Sequence, residues 1–238
     1  MVEPRDNVLV VMPAWNESAT VARVVLEVRV AQPRATILVV NDGSRDDTAS
    51  EARSAGARVL ELPVNLGVGG AMRAGFRYAV EHSHTAVVQV DADGQHNPAD
   101  IDTLLSALDD VDLAIGARFA GVGDYAVHGP RLWAMWVLRH ALSSVVRTPL
   151  TDVTSGFRAS GPRAIPVYAD NYPAEYLGDT IETLVIARKF GLRVGQVPVA
   201  MRERAGGEPS HSPLKAAVYL SRSMLALFVA LLRPTRAS

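Results

Sequence analysis

The sequence of 238 residues contains no cysteine. This absence excludes disulfide bonds, thiolate catalysis and cysteine-ligated zinc sites, and it is typical of proteins from a reducing compartment. The chain also lacks a strong charge of either sign, with 24 basic and 25 acidic residues. No global field therefore draws it to nucleic acid, and any binding of an anion must depend on local groups.

Long apolar segments are absent as well. The first seven residues include Glu3 and Asp6 and lack the basic start and apolar stretch of a secretory signal. The longest late apolar stretch, 224–232, is shorter than the about 20 residues that cross a bilayer. We therefore expect the protein in the cytoplasm, where it could lie peripherally at the inner face of the cell membrane.

Apolar runs alternate with amphipathic segments through most of the chain. The run from Val8 to Met12 predicts a strand covered on both faces, and Ser18 is the expected N-cap of the next helix, 19–30. Further strands are expected at 36–40, 59–62, 85–90, 113–116 and 194–199, and further helices at 47–55, 71–81, 98–108, 130–147, 179–191 and 214–232.

This alternation predicts an α/β fold with right-handed crossovers, a mostly parallel central sheet and helices on both faces. We expect one domain over residues 1–210, followed by a C-terminal amphipathic helix in 211–238 that could dock on a membrane or a partner. Polar clusters at 13–17, 41–44 and 91–96 each follow a strand. Because carboxyl ends of parallel strands share one edge of a sheet, the clusters are expected to form one site.

The cluster after the fourth strand reads Asp-Ala-Asp-Gly-Gln-His, residues 91–96. Asp91 and Asp93 can share one hard divalent cation, which prefers oxygen ligands and is completed by water and substrate phosphates. Such a cation would neutralise charge on a departing diphosphate. The alternative is a pair of solvated turn aspartates. His96 could be a ligand, a group behind the ligands or an ordinary surface histidine.

The clusters after the first two strands could bind a nucleoside. Asp42 could accept hydrogen bonds from a nucleobase, or it could cap the following helix. Glu17 could bind ribose hydroxyls while Pro13 and Ala14 pack on the base. The alternative for Glu17 is a place in the first turn of the helix, where the dipole favours an acidic side chain.

A glycine-rich turn, 65–71, follows the third strand. Its order, G-x-G-G, differs from the G-x-G-x-x-G dinucleotide fingerprint, and it follows the wrong strand. We therefore expect these glycines to permit close approach of the backbone to a ligand or to the sheet.

Several later polar residues could bind phosphate or activate an acceptor. Arg118 and Arg131 flank a loop and suit phosphate recognition, since each guanidinium can bind two oxygens, although surface ion pairs are the alternative. Asp152 could act as a base or orient the acceptor, or it could cap a turn. Arg202 and Arg204 lie in a loop that could fold over a diphosphate as a lid.

Taken in order, these segments resemble glycosyltransferase family 2, in particular the polyprenyl-phosphate sugar transferases of the dolichyl-phosphate mannose synthase type. The matching segments are 13–17, 41–48, 65–75, 91–96, 115–118, 152–158 and 204–210. The resemblance implies a GT-A fold and inverting transfer of a hexose from a UDP-, GDP- or dTDP-sugar to a polyprenyl phosphate, with Mg2+ or Mn2+ as cofactor.

The resemblance also implies roles for individual residues. The implied nucleotide-binding set is Pro13, Ala14, Asn16, Glu17, Asp42, Gly67, Asp91, Ala92, Asp93, Gln95 and Arg204. The implied metal ligands are Asp91, Asp93 and Gln95, and the implied catalytic set is Asp93, Asp152, Arg118 and Arg131. Arg118 and Arg131 match positions that receive the acceptor phosphate, and Asp152 matches a position proposed as base.

The chain departs from the family pattern in two respects. Asn41 replaces the first of two aspartates often found there, and residues 211–238 do not read as the transmembrane helices that many relatives carry after the catalytic segment. Two candidate membrane-surface helices, around Trp133 and Phe228, could instead lie on a bilayer or on a small membrane protein. Burial against the domain is the alternative for both.

Three alternatives to transfer onto a lipid stay open at this point. The first is a glycosyltransferase with a soluble metabolite or glycan as acceptor. The second is a nucleotidyltransferase, although such enzymes usually carry a basic glycine-rich loop directly after the first strand. The third is a non-catalytic nucleotide-binding module on the same fold.

Overall fold

The structure is a computed structural model that describes residues 7–117, 140, 142–173 and 179–202. The strands are β1 (Val8–Ala14), β2 (Thr36–Asn41), β3 (Arg58–Glu61), β4 (Ala86–Gln89), β5 (Leu113–Ala117), β6 (Arg158–Ser160) and β7 (Val194–Pro198). The helices are α1 (Val21–Ala31), α2 (Thr48–Ser54), α3 (Gly67–Glu81), α4 (Ile101–Ala107), α5 (Ala164–Asn171) and α6 (Asp179–Lys189). A 3-10 turn, Pro98–Asp100, precedes α4, and residues 142–146 are helical.

The seven strands form one sheet in the order β3-β2-β1-β4-β6-β5-β7. All pairs are parallel except those of β6, which runs antiparallel to both β4 and β5. The predicted mostly parallel sheet is thus confirmed. The chain runs from β1 outward to β2 and β3, and then returns to place β4 on the other side of β1. The strand order therefore reverses between β1 and β4. In such sheets, ligands bind beside the carboxyl ends of the strands at this switch point.

Strand β1 explains why the core has two halves. All seven of its residues are buried, as the uninterrupted apolar run predicts. Leu9 and Val11 pack in the cluster that contains α3, α5 and α6, whereas Val10 and Met12 pack in the cluster that contains α1 and α4. Alternate side chains of one strand therefore anchor both helical layers, and each buried aliphatic side chain contributes about 1.5–3 kcal/mol.

Helix α3 approaches the sheet closely at Gly75. A Cβ built on Gly75 would lie 2.6 Å from Cγ1 of Val11, closer than carbon atoms pack. The glycine therefore allows the helix to lie directly on β1. Gly75 lies outside the glycine-rich turn 65–71, so the role expected of the glycines in that turn stays a prediction.

Two predicted helix starts were wrong. Helix α1 begins at Val21 with Thr20 at its N-cap, because the carbonyl of Glu17 already accepts the N–H groups of Thr20 and Val21. Ser18 instead donates its backbone N–H to Oδ2 of Asp46. Helix α3 begins at Gly67 rather than Ala71, since a distant carboxylate binds its first N–H groups.

Strand β6 and helix α5 were not predicted. Strand β6 has only three residues, Arg158-Ala159-Ser160, and so offers no apolar run or alternation to recognise. It is nevertheless buried, because it lies between β4 and β5 in the middle of the sheet.

Within the ranges that the structure describes, no helix is long and apolar enough to cross a membrane. The predicted helix at 214–232, the domain boundary near 210 and the region around Trp133 lie outside those ranges.

Candidate functional site

The loops that follow β1 and β2 are joined by hydrogen bonds. The backbone N–H of Asn16 donates to Oγ of Ser44 over 3.0 Å, and Oδ1 of Asn16 accepts the N–H of Arg45 over 2.9 Å. The N–H of Glu17 donates to Oγ1 of Thr48 over 2.8 Å. The first two polar clusters are therefore in direct contact, as expected for one shared site.

Asp46 supports the same junction from the second loop. Its Oδ1 accepts the N–H of Thr48, and its Oδ2 accepts the N–H of Ser18. Partial burial raises the pKa of Asp46, but hydrogen bonds from Thr48 and Ser18 outweigh this and hold the pKa below its ordinary value. The charged form of Asp46 is thus the one that the folded loops favour.

Glu17 lies before helix α1 and not in its first turn. Its Oε2 accepts a hydrogen bond from Oγ1 of Thr20 over 2.9 Å, and its side chain is partly exposed. Asn16, directly before it, has φ of 55°, a left-handed conformation that asparagine tolerates better than most residues. This local backbone turns the chain at the carboxyl end of β1 and places Glu17 at the edge of the sheet.

Pro13 and Ala14 belong to β1 and are buried, with Ala14 only 3% exposed. They offer little surface to a nucleobase in this structure. The next residue, Trp15, is 55% exposed at the end of the same strand. An aromatic ring there is a larger surface for stacking than the two residues that the sequence favoured.

Asp42 joins the second cluster to the glycine-rich third one. The side chain is only 3% exposed, and its Oδ1 and Oδ2 accept the backbone N–H groups of Leu66 and Gly67, each over 2.7 Å. Gly67 has φ of 79°, and a Cβ on Gly43 would lie 2.9 Å from the backbone nitrogen of Asn65. Asp42 therefore caps α3 and not the helix that follows it in sequence.

The loop after β4 presents two carboxylates at the same edge. Asp91 and Asp93 are partly exposed on either side of the buried Ala92. Oδ1 of Asp93 accepts the N–H of Gln95 over 3.0 Å, and Gly94 makes the turn with φ of 79°. The placement of both carboxylates at the switch point favours a functional pair over two unrelated turn aspartates.

Asp91 has protein partners on both of its oxygens. Nε2 of Gln89 donates to Oδ1 over 3.1 Å, and Nε2 of His96 lies 3.6 Å from Oδ2. His96 is only 3% exposed, which excludes the surface-histidine interpretation, and its Nδ1 accepts the backbone N–H of Asp91. Sequence reasoning did not single out Gln89, because it lies inside the strand and not in the polar cluster after it.

The residues of this loop fit a divalent cation. In the part of the chain that the structure describes, no three acidic or histidine side chains form a complete metal cage. A magnesium-type site does not need one, since one or two carboxylates suffice when water and substrate phosphates complete the coordination. The side chain of Asp91 is 37% exposed, so it remains accessible to such a cation.

The segment 152–157 lies beside Asp91. A Cβ on Gly156 would be 3.3 Å from Oδ2 of Asp91. Asp152 is buried, and its Oδ1 accepts both the N–H and the hydroxyl of Thr154, over 3.0 and 2.9 Å. The turn-capping interpretation of Asp152 is thus directly visible, at the start of the segment that lies beside Asp91.

The 152–157 segment is also held by the buried side chain of Arg158. Arg158 in β6 donates to the carbonyl of Ser155 over 2.8 Å and to Oγ1 of Thr183 over 2.7 Å. Tyr168 donates its hydroxyl to the carbonyl of Thr183, and burial raises the pKa of Tyr168 despite the nearby Arg158. These bonds connect the 152–157 segment to β6, α5 and α6.

Arg118, Arg131 and Arg204 lie outside the described residues, so their predicted roles stay predictions. Arg202 is described, and its guanidinium donates hydrogen bonds to Glu27 and Asn97. In this structure the side chain therefore binds these two residues and does not lie over the carboxylate pair as a lid. Its backbone N–H, however, donates to the carbonyl of Gln95 over 2.9 Å. The chain that leads to Arg204 is therefore anchored on the loop with the two carboxylates.

Comparisons with known proteins agree with this geometry. The profile described as Glycosyl transferase family 2 matches residues 9–165. The chain is 32% identical to the undecaprenyl-phosphate mannosyltransferase of Micrococcus luteus, over 87% of this chain and 88% of that protein. It is 31% identical to the polyprenol monophosphomannose synthase of Mycolicibacterium smegmatis, over 87% of this chain and 81% of that protein.

Solved structures support the fold. Glucosyl-3-phosphoglycerate synthase of Mycobacterium tuberculosis, solved with Mn2+, UDP and glucosyl-3-phosphoglycerate, superposes with a TM-score of 0.69 at 22% identity. The match covers 97% of this chain and 82% of that one. The expected GT-A fold is confirmed. From its sequence, its fold and the family match, the chain belongs to glycosyltransferase family 2.

Proposed function

We propose that this protein transfers a hexose from a nucleotide-diphosphate sugar to a polyprenyl phosphate, with inversion at the anomeric carbon and with Mg2+ or Mn2+ as cofactor. The observation that carries the proposal is that the polar loops after β1, β2 and β4 lie at one edge of the sheet beside the switch point, with Asp91 and Asp93 partly exposed there. The names of the relatives from Micrococcus luteus and Mycolicibacterium smegmatis support the lipid acceptor.

The nucleoside would lie over the ends of β1 and β2. Asp42 uses one lone pair on each oxygen for Leu66 and Gly67, and a carboxylate has about four acceptor sites. The remaining acceptor sites of this buried carboxylate would accept the hydrogen bond from the base while the carboxylate continues to hold the loop. Glu17 is placed to bind ribose hydroxyls, and the exposed ring of Trp15 gives the base a stacking surface.

The donor diphosphate would lie over the loop that contains Asp91 and Asp93, with Gln95 beside them. These residues would hold the divalent cation, which supplies neutralisation of the charge that develops on the leaving diphosphate. Arg204 would add a second positive charge there. The anchoring of Arg202 on Gln95 supports this role, because two residues of chain span at most about 7 Å.

A phosphate acceptor is compatible with the burial and the turn-capping hydrogen bonds of Asp152. A phosphate oxygen of the lipid forms the new bond to the anomeric carbon while the bond from that carbon to the nucleoside diphosphate breaks. This oxygen is already anionic, so no proton has to be removed. A buried Asp152 that caps a turn is compatible with such an acceptor, whereas a hydroxyl acceptor would need a base. Arg118 and Arg131 would orient the lipid phosphate.

The proposal is tested by incubating the protein with Mn2+ and radiolabelled UDP-, GDP- and dTDP-hexoses, with either undecaprenyl phosphate in detergent or 3-phosphoglycerate as acceptor. We expect label in the organic-extractable lipid for one donor. The Asp91→Asn, Asp93→Asn variant should lose this activity, and Asp110→Asn, an exposed carboxylate before β5, should retain it. Label only in the soluble product would replace the lipid by a metabolite acceptor, and no label with any pair would contradict the proposal.

A further inference from the structure

His96 has an unusual position for a residue directly after a pair of candidate metal ligands. It is buried, and its ring stacks on Phe157 with 4.7 Å between ring centroids and 13° between the planes. Its backbone forms an isolated antiparallel bridge with Met201. The imidazole is therefore held between the carboxylate loop, the 152–157 segment and the chain that follows β7.

The hydrogen bonding of the ring fixes its tautomer. Nδ1 accepts the backbone N–H of Asp91 over 3.0 Å, so Nδ1 cannot carry a proton. A neutral imidazole then has its proton on Nε2. The Nε2 atom lies 3.6 Å from Oδ2 of Asp91, slightly beyond hydrogen-bond length. His96 is thus directed at Asp91 through both nitrogens, and neither nitrogen has a lone pair free for a metal.

The second oxygen of Asp91 is held from the sheet. Gln89, buried at the end of β4, donates its Nε2 to Oδ1 over 3.1 Å. One side chain from the strand and one from the loop therefore face the two oxygens of a single carboxylate. Rotation of the carboxylate would break the hydrogen bond from Gln89 and move Oδ2 away from Nε2 of His96, while its exposed part still faces solvent.

We propose that His96 is a positioning residue for the reaction, which together with Gln89 holds the carboxylate of Asp91 in the orientation that binds the divalent cation. This inference rests on the proposed function, since it needs a cation at Asp91 and Asp93. Groups that hydrogen-bond to metal ligands fix the ligands' orientation, and their removal typically weakens metal binding about 10- to 100-fold. His96 acts through Asp91 and does not touch the reacting atoms.

The test measures Mn2+ affinity without turnover, from the electron paramagnetic resonance signal of free Mn2+ in titrations at pH 7.5. His96→Phe keeps a flat ring against Phe157 but removes both nitrogens. His96→Asn keeps an acceptor near the N–H of Asp91 and loses the Nε2–H. We expect affinity to fall from the wild type through His96→Asn to His96→Phe, with a total loss of about 10- to 100-fold. Gln89→Leu should fall in the same range.

Two control variants distinguish a failure of the metal site from a failure of the role proposed for His96. His84→Phe replaces another buried histidine, located before β4 at the far end of the strand, and should leave the Mn2+ affinity unchanged even if stability falls. Asp91→Asn, Asp93→Asn should abolish binding. If the wild type bound no Mn2+, the metal site and this inference would both be contradicted. If only the double variant lost binding, the metal site would stand and the role of His96 would be overturned.

A folding defect does not leave the question open. If His96→Phe fails to fold by circular dichroism, His96→Asn and Gln89→Leu decide it. Wild-type affinity in both of these variants would overturn the inference, and weakened affinity with an unchanged thermal midpoint would support it.

Discussion

Oδ2 of Asp42 accepts the backbone N–H of Gly67 over 2.7 Å, across 25 positions of sequence. A residue at the end of β2 therefore caps the first turn of α3, and the loop between β3 and α3 is fixed against the loop after β2. Because Asp42 is also the residue expected to contact the base, the geometry of the nucleoside site and the start of α3 depend on one carboxylate.

Replacing Asp42 should therefore cost stability as well as nucleotide binding. In Asp42→Asn one of the two carboxylate oxygens becomes an NH2 group that faces a backbone N–H. A buried donor left without a partner costs about 1–3 kcal/mol, so we expect a loss of that size in urea unfolding. Asp47→Asn, at an exposed N-cap without a side-chain hydrogen bond, should stay within about 0.5 kcal/mol of the wild type. Equal stabilities of the two variants would show that Asp42 does not hold α3.

Gly75→Ala tests the close approach of α3 to β1. The new methyl group would lie 2.6 Å from Val11 in the centre of the sheet, and forcing such a contact typically costs about 1–3 kcal/mol. Gly161→Ala is the matched control, because the nearest atom to its Cβ would be at 3.6 Å, an ordinary contact. A Gly75→Ala protein as stable as Gly161→Ala in urea would contradict the packing described here.

The buried His84 should make stability fall in mild acid. Burial lowers its pKa, the carbonyl of Asn7 opposes this, and the charges of His82 and Arg58 lower the pKa further. Unfolding restores a pKa near 6.5, so below about pH 6.5 the unfolded chain binds the proton more readily and the folded state loses stability. His84→Gln should have a flatter dependence of its urea midpoint between pH 7.5 and 5.5. An identical slope in both proteins would be inconsistent with this assignment.

Asp152→Asn distinguishes a base from a turn cap. The asparagine keeps an oxygen that can accept the N–H and hydroxyl of Thr154. If the acceptor is a phosphate, kcat/KM should stay within about tenfold of the wild type, whereas loss of a general base typically costs 10²–10⁴-fold. Steady-state kinetics with the lipid phosphate give the answer. A fall beyond about 100-fold, with unchanged thermal stability, would restore the base role.

The sequence predicted the sheet well because its strands carry clear local signals. The runs at β1, β2 and β5 are apolar and buried, so their type could be read directly. The polar clusters after β1 and β2 also marked the carboxyl ends of those two strands. Strand β6 was missed, since Arg158 and Ser160 are polar and become buried only through Thr183, Ser155 and the neighbouring strands.

The site was predictable in its carboxylates and not in their supports. Asp91 and Asp93 stand out by spacing and by their place after β4. The cap that Asp42 gives to α3 depends on hydrogen bonds to a loop 24 and 25 positions away. The bond from the N–H of Asp91 to His96 and the bond from the N–H of Val21 to the carbonyl of Glu17 are local, but each depends on the folded course of its own loop. None of these bonds follows from hydrophobic periodicity or helix propensity, so the sequence carries no sign of them.

The central claim, a nucleotide sugar bound through a cation at Asp91 and Asp93, is tested most directly by thermal-shift binding of UDP, GDP and dTDP. Each nucleotide is added with Mn2+ or with EDTA, to the wild type and to Asp91→Asn, Asp93→Asn. We predict that one nucleotide raises the midpoint of the wild type with Mn2+ only, and that the double variant shows no rise. A rise that persists with EDTA or in the double variant, or no rise with any nucleotide, would contradict the account.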